Sequence, residues 1–325
     1  MRIAIIGAGL SGLTAARRLR AIAEVDVFDK ARGPGGRLAT RYADPYQFDH
    51  GAQFFTAHDP LFADFLTELE DAEVVARWYA RFAEMEHKRI IATREWDDTY
   101  VHFVGAPKMN RLGRYLSEGV SLHLETRITS LRQEKGWMLK DENEQLYGPY
   151  DWVICTAPPE QAVELLPSDF AHHARVSATR MQGCFATMLG FAEPLPLPFD
   201  AALIKDADIS WVSVNSSKPG RDTGFSLVVH ATNKWADANL ETPMDQVKAH
   251  LLAEISDVIG HDVHQADHCA IHRWRYANIE RQEGDAALVD TNLRLAACGD
   301  WCVQGRVESA YLSGRAAASA IEEAA

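Results

Sequence analysis

Three glycines and an aspartate near the N-terminus are spaced for holding a nucleotide by its phosphates and its ribose. Gly7, Gly9 and Gly12 fall in the run Gly7-Ala8-Gly9-Leu10-Ser11-Gly12, directly after the apolar, β-branched stretch Ile3-Ala4-Ile5-Ile6. Gly7 permits a sharp exit from a strand, and Gly9 lets backbone N–H groups approach a pyrophosphate with no Cβ in the way. Gly12 permits close packing of a helix on a sheet. A helix starting at Leu13-Thr14-Ala15-Ala16, just after Ser11 and Gly12, offers free N–H donors and a partial positive charge to phosphates. A second apolar run, Val25 to Phe28, ends on Asp29, at the distance from Gly9 where a carboxylate takes ribose hydroxyls. Strand, glycine turn, helix, strand and acid in this order make a dinucleotide-binding βαβ unit rather than a bare structural turn.

The chain that must position these groups has 325 residues, 47% hydrophobic, enough for a large core and about two domains. Its formal charge of −13 argues against general binding to nucleic acid or anionic membrane, although Arg32, Arg37 and Arg41 are available to a nucleotide. The five cysteines are scattered with no CxxC pair, so neither a disulfide framework nor a metal site is expected, and a reducing cytoplasm fits best. A first strand beginning at residue 2 leaves no room for a signal peptide, and no apolar run is long enough to span a membrane.

Periodicity predicts an amphipathic helix over 59–72 and strands over 74–82, 88–96 and 100–104, with a helix over 108–116. Short strands over 120–125, 128–133, 137–141 and 145–147 read as a meander, and Asp151 to Thr156 as a buried strand stopped by Ala157-Pro158-Pro159. From 178 to 288 the pattern is mostly β, with strands over 185–191, 209–214, 225–231 and 268–274 and helices over 234–240 and 244–259. A strand over 293–297 leads into Cys298-Gly299-Asp300-Trp301, then Gly305-Arg306-Val307 and a final helix.

Beyond Asp29, the segment Lys30-Ala31-Arg32-Gly33-Pro34-Gly35-Gly36-Arg37 resembles the acid-then-Gly-Gly-Arg signature of the flavin-containing amine oxidase superfamily. Further matching segments are Gly51-Ala52-Gln53-Phe54-Phe55, Asn215 through Pro219, His230-Ala231-Thr232 with Trp235, His272-Arg273-Trp274 and the C-terminal Gly299-Asp300 and Gly305 to Glu308. Together they resemble the bacterial renalase branch over nearly the whole chain. The resemblance implies an α/β fold: a three-layer FAD-binding Rossmann-like domain (1–55, 105–177, 289–325) and a discontinuous α+β substrate domain (56–104, 178–288). It implies non-covalent FAD, with Gly36 and Arg37 passing close to its phosphates and Gly51, Ala52, Gln53 and Phe54 beside the ring. Ile128 would contact the adenine, Thr156 would end a strand at the cofactor, and Asp300 would bond the ribityl chain. The helix following Arg306 and Val307 would aim its N-terminus at the ring.

Only one GxGxxG unit is present, so electrons are expected to come straight from a small-molecule substrate and leave to an acceptor such as O2. A lysine that many flavin amine oxidases carry on a substrate-domain strand has no counterpart here: registering on Glu193-Pro194 puts Ala186 in its place. Renalase-like proteins oxidise the 2- and 6-dihydro isomers of NAD(P)H to NAD(P)+ with formation of hydrogen peroxide. The same activity is the expectation for this chain, with oxidation of small amines and non-catalytic FAD binding as alternatives. His230, Trp235, Trp274 and Gln53 are the candidate catalytic or pocket-lining groups; His230 reads equally as a core histidine, and Trp274 as a core aromatic.

Overall fold

The computed structural model describes residues 1–221 and 224–325. Two sheets organise them. The first has six strands in the order Ala287–Asp290, Leu295–Cys298, Trp152–Cys155, Arg2–Ile6, Glu24–Phe28 and Ser121–His123, parallel throughout except for the first pair. Alternation along the central strand explains the layers. Ile3 and Ile5 pack in one core with the helices Leu10–Leu19 and Val307–Ala324. Ala4 and Ile6 pack in another with the antiparallel meander Ile128–Gln133, Trp137–Asp141 and Leu146–Tyr150. The two helices come so close that a Cβ on Gly314 would lie 2.3 Å from the Ser11 carbonyl oxygen. Ser11 Oγ donates to the Ala310 carbonyl at 2.8 Å across the same contact. The first and last helices of the chain therefore fold as a pair.

The second sheet has seven strands in the order His268–Asn278, Gln182–Phe191, Phe225–Ala231, Ile209–Val214, Ala201–Lys205, Arg81–Glu86 and Arg89–Glu95. Its two faces follow the period of two. Phe185, Leu189, Leu227 and Val229 share a core with Val247, Leu251, Ile255 and Val258 of the helix Met244–Ile259. The opposite face presents Cys184, Ala186 and His230 toward the first sheet. Ala186 pairs with His230 on one neighbouring strand and with His272 on the other, which puts the two imidazoles on either side of a methyl group.

Several elements depart from the sequence expectation, among them two strands. Ser121–His123 joins the six-stranded sheet beside Glu24–Phe28 instead of the meander, because His123 stacks on Phe28 with ring centroids 4.6 Å apart and extends the parallel ladder. Ala201–Lys205 is a strand although its alanine-rich sequence carries little β signal; pairing on both sides decides it. The helix Pro60–Asp71 packs Phe65 on Tyr311 of the C-terminal helix, with centroids 4.3 Å apart.

Candidate active site

A cavity of about 2000 Å³ lies between the two sheets and reaches the carboxyl ends of Arg2–Ile6, Glu24–Phe28 and Trp152–Cys155; the strand order reverses between the first and the last of these. Ordinary small-molecule pockets hold roughly 300–1,000 Å³, so this one has room for a large cofactor and a second ligand. Gly7 and Gly9 open its nucleotide end. Gly7 has φ +112, and a Cβ there would meet Thr156 Oγ1 at 2.3 Å, while the Thr156 hydroxyl itself donates to the carbonyls of Ile6 and Gly7. A Cβ on Gly9 would meet nothing within 4 Å. The helix Leu10–Leu19 has no side-chain cap, which leaves its first N–H groups free to donate. Asp29 accepts from the N–H of Ala8 at 2.6 Å and of Ala31 at 2.8 Å, and Lys30 donates to Gln161 at 3.0 Å. Ser11, Gly36, Ile128 and Thr156 also line this end.

Both ends of the chain meet further along. Arg37 grips Asp300 through two hydrogen bonds of 2.8 and 2.6 Å and also donates to the Ala277 carbonyl. The resemblance assigned those two side chains to the phosphates and the ribityl chain; here they satisfy one another while lining the cavity with Gly299, Arg306 and Val307. Gly51 passes so close that a Cβ would lie 1.9 Å from the Arg37 carbonyl oxygen, and Ala52 N–H donates to that oxygen at 3.0 Å. Two expected contacts do not line the cavity. Gly12 faces inward, where a Cβ would meet the Gly7 carbonyl oxygen at 2.0 Å, so its contribution is packing. Trp235 is turned away: Thr232 caps the helix Asn233–Asn239, and the indole stacks on His250 at 4.9 Å on the far side of the sheet.

The substrate end is walled by His230, Trp211, Trp274 and Tyr276 from the second sheet, and by His50, Gln53 and Phe54 from the segment after the hairpin Thr40–Ala43 and Tyr46–Asp49. Trp274 stacks on His50 at 5.3 Å and donates its indole N–H to the His50 carbonyl at 2.9 Å. Burial, with neighbouring positive groups, pushes the imidazoles of His50, His230 and His272 down to about 4. All three are neutral at pH 7 and act as hydrogen-bonding groups, not as charges.

Comparison with known proteins decides the family. Residues 75–322 match the family described as flavin containing amine oxidoreductase, and residues 5–69 match an NAD(P)-binding Rossmann-like domain. The chain belongs to the flavin-containing amine oxidoreductases. Solved structures with the same fold include a protein described as a protoporphyrinogen oxidase from Exiguobacterium sp. 255-15, at 13% identity and TM-score 0.78, covering 99% of this chain and 98% of that one. Wild-type putrescine oxidase bound to putrescine aligns at 14% identity and TM-score 0.74 over 99% of both chains. Reduced UDP-galactopyranose mutase aligns at 11% identity and TM-score 0.77 over 100% and 96%. These likenesses establish the fold.

As a flavin-containing amine oxidoreductase, the chain uses non-covalently bound FAD, and its residues fit that group. The open space at Gly9 and the uncapped helix suit the pyrophosphate, Asp29 suits a ribose, and the narrow passage at Gly51 and Ala52 suits a flat ring. Among the described residues no group of histidines, cysteines and acids is arranged for a metal, and no helix is long and apolar enough to cross a membrane.

Sequence reasoning missed a charged cluster immediately behind Gln53. Asp49 is fully buried and accepts from Arg221 at 2.6 Å, from Thr40 Oγ1 at 2.6 Å and from the Met109 N–H at 3.1 Å, with Lys218 Nζ at 4.0 Å. Lys218 donates to Gln53 Oε1 at 3.2 Å and Asn215 Oδ1 at 3.1 Å. An ammonium can only donate, so the Gln53 oxygen must face it. The Gln53 nitrogen then donates to the carbonyls of Asp49 and Gly51 at 2.5 and 3.0 Å, and lies 3.4 Å from His230 Nε2. Lys218 lies in the segment Asn215 through Pro219 already singled out in the sequence, which carried no sign that it was buried.

Burial pushes Lys218 down to about 7, against the pull of Asp49 and with the help of Arg221. Between pH 7 and the ordinary lysine value of 10.5, the unfolded chain holds a proton that the folded chain has released. Stability therefore rises with pH across that window, by up to about 1.4 kcal/mol per unit. Urea midpoints of the native protein and Lys218→Met, measured from pH 7 to 10, should show a slope in the first that is absent in the second. Identical slopes would mean that the buried amine keeps its proton.

Proposed function

We propose that this chain oxidises the 2- or 6-dihydro isomers of NAD(P)H to NAD(P)+ and reduces O2 to hydrogen peroxide, in the cytoplasm. One observation carries the reading: the part of the cavity wall contributed by the second sheet holds neutral imidazoles and aromatic rings, and no carboxylate among the described residues. The acids that line the cavity, Asp29, Glu164, Asp300 and Glu308, all come from the nucleotide-binding half. An alkylammonium substrate would find no counter-ion at such a wall, and no lysine stands at Ala186. A dihydropyridine needs neither, because it gives up hydride and gains an aromatic ring. Positioning then supplies most of the acceleration.

When bound, FAD supplies the two-electron acceptor and the route to O2. His230 offers a hydrogen bond to the carboxamide or a phosphate of the substrate, and Trp274 on His50 forms one side of a flat slot. Gln53, pinned by Lys218, Ser213 and two backbone carbonyls, keeps the Gly51–Ala52 turn rigid beneath it. Anaerobic mixing tests the reading, with flavin absorbance followed near roughly 450 nm. Bleaching is expected with 2- or 6-dihydro-NAD(P) and not with ordinary NADH or with amines such as putrescine. Bleaching by amines alone would replace this reading with amine oxidation, and bleaching by nothing would leave a non-catalytic flavoprotein.

A further inference from the structure

We infer that Arg41, with His50, His268 and His272 around it, forms an anion subsite that takes a phosphate group of the substrate. The inference rests on the reading that the substrate is a dihydronicotinamide nucleotide, and it names the part of that molecule bound farthest from the chemistry. All four side chains line the cavity. Arg41 comes from the hairpin strand Thr40–Ala43, and His268 and His272 from the edge strand His268–Asn278, where residues four apart point to one face.

Two observations show that the place is built for a partner that the protein itself does not supply. The Arg41 side chain makes no hydrogen bond or ion pair among the described residues, in a chain whose net charge is −13. Three of the six other arginines that line the cavity are engaged: Arg37 with Asp300, Arg273 with the Leu240 carbonyl, Arg275 with Glu241; Arg32, Arg127 and Arg306 lie elsewhere along it, away from the buried imidazoles. Moreover, His50 Nδ1 and His268 Nε2 are buried with no hydrogen-bond partner, and His50 is only 6% exposed. A buried polar nitrogen left unpaired costs about 1–3 kcal/mol unless a ligand or water satisfies it. The Arg41 charge also helps to hold all three imidazoles below the usual histidine range, after burial itself. A bound phosphate offers acceptor oxygens to the arginine fork and to the orphaned nitrogens at once.

The spacing agrees with one continuous ligand. His272 and His230 flank Ala186 on adjacent strands, so they stand two strand spacings apart, roughly 9–10 Å. A nicotinamide ring near His230 thus leaves a ribose's length before its phosphate reaches His272 and Arg41. An amine substrate would have no use for such a site.

The experiment compares FAD-loaded native protein, Arg41→Ala and Arg41→Lys. Each is given the same dihydronicotinamide isomer as the mononucleotide and as the riboside lacking the phosphate. The ratio of flavin-bleaching efficiencies, mononucleotide over riboside, should fall tenfold or more in Arg41→Ala and less in Arg41→Lys. A ratio that Arg41→Ala leaves intact overturns the subsite. Inorganic phosphate alone, titrated while tryptophan fluorescence is followed, provides a readout that needs no turnover. It should bind the native protein, be weakened by salt, and bind Arg41→Ala at least tenfold more weakly. If no dihydronicotinamide bleaches the flavin yet phosphate binds in this Arg41-dependent way, the proposed function fails and the anion subsite stands. If phosphate binds both proteins alike or neither, the subsite fails whatever the substrate is.

Discussion

A Gly9→Val variant should fold as well as the native chain and lose its FAD. Gly9 has φ −75 and ψ 179, a conformation open to any residue, and a Cβ there would meet no protein atom within 4 Å. Apoprotein stability should stay within about 0.5 kcal/mol of native. The new side chain would instead fill the space in front of the free N–H groups of Leu10–Leu19, where a pyrophosphate has to sit. FAD affinity should fall by about a hundredfold or more, close to 3 kcal/mol. Gly12→Val is the contrast, because its Cβ would lie 2.0 Å from the Gly7 carbonyl oxygen and the helix would be forced off the sheet. Thermal melts of the two apoproteins and titration with FAD separate the cases. A Gly9→Val protein that stays yellow through gel filtration would show that the phosphates lie elsewhere.

Asp49→Ala should be as damaging to stability as truncating a large buried aromatic side chain. Burial alone would raise the Asp49 carboxyl, but the charges of Arg221 and Lys218 and the hydrogen bonds of Thr40 and Arg221 hold it below the usual carboxylate range. A carboxyl with a lowered folded value stabilises the protein at pH values above its unfolded one, about 4, and loses that contribution as acid protonates the folded form. Truncation strands Lys218 and Arg221 in the interior without that partner, and removing one member of a buried pair costs about 3–5 kcal/mol. Against a total stability of ~5–15 kcal/mol, that is a large share. Denaturant unfolding measures it, and the double variant Asp49→Ala with Lys218→Met should recover at least about 1 kcal/mol by replacing the buried, unpaired amine with an apolar side chain. A loss below 1 kcal/mol for Asp49→Ala would show that the cluster contributes rigidity rather than stability.

What the sequence made legible was local. Gly7, Gly9, Gly12 and Asp29 lie within one βαβ unit, and residue type and spacing alone place them there. Gly299-Asp300 was found because it directly follows a strand, although its pairing with Arg37 spans 263 residues and was out of reach. Asp49, Lys218 and Arg221 were invisible for the same reason: each is an ordinary charged residue until a contact more than 160 residues away buries it. Trp235 failed by direction. The strand Phe225–Ala231 ends in a Thr232 cap, and the following helix carries the indole to the wrong side of the sheet. Ala201–Lys205 failed by propensity, since its neighbours decide its conformation.

The edge strand His268–Asn278 has a consequence of its own. It pairs on one side only, with Gln182–Phe191, and every one of its eleven residues is at least partly accessible. His268, His272, Trp274 and Tyr276 thus shape the chamber from its edge. The neighbouring strand holds its register with this one through backbone pairing, so diversifying these few positions offers a route to new chemistry over the same cofactor platform, whether natural drift or a laboratory library makes the changes.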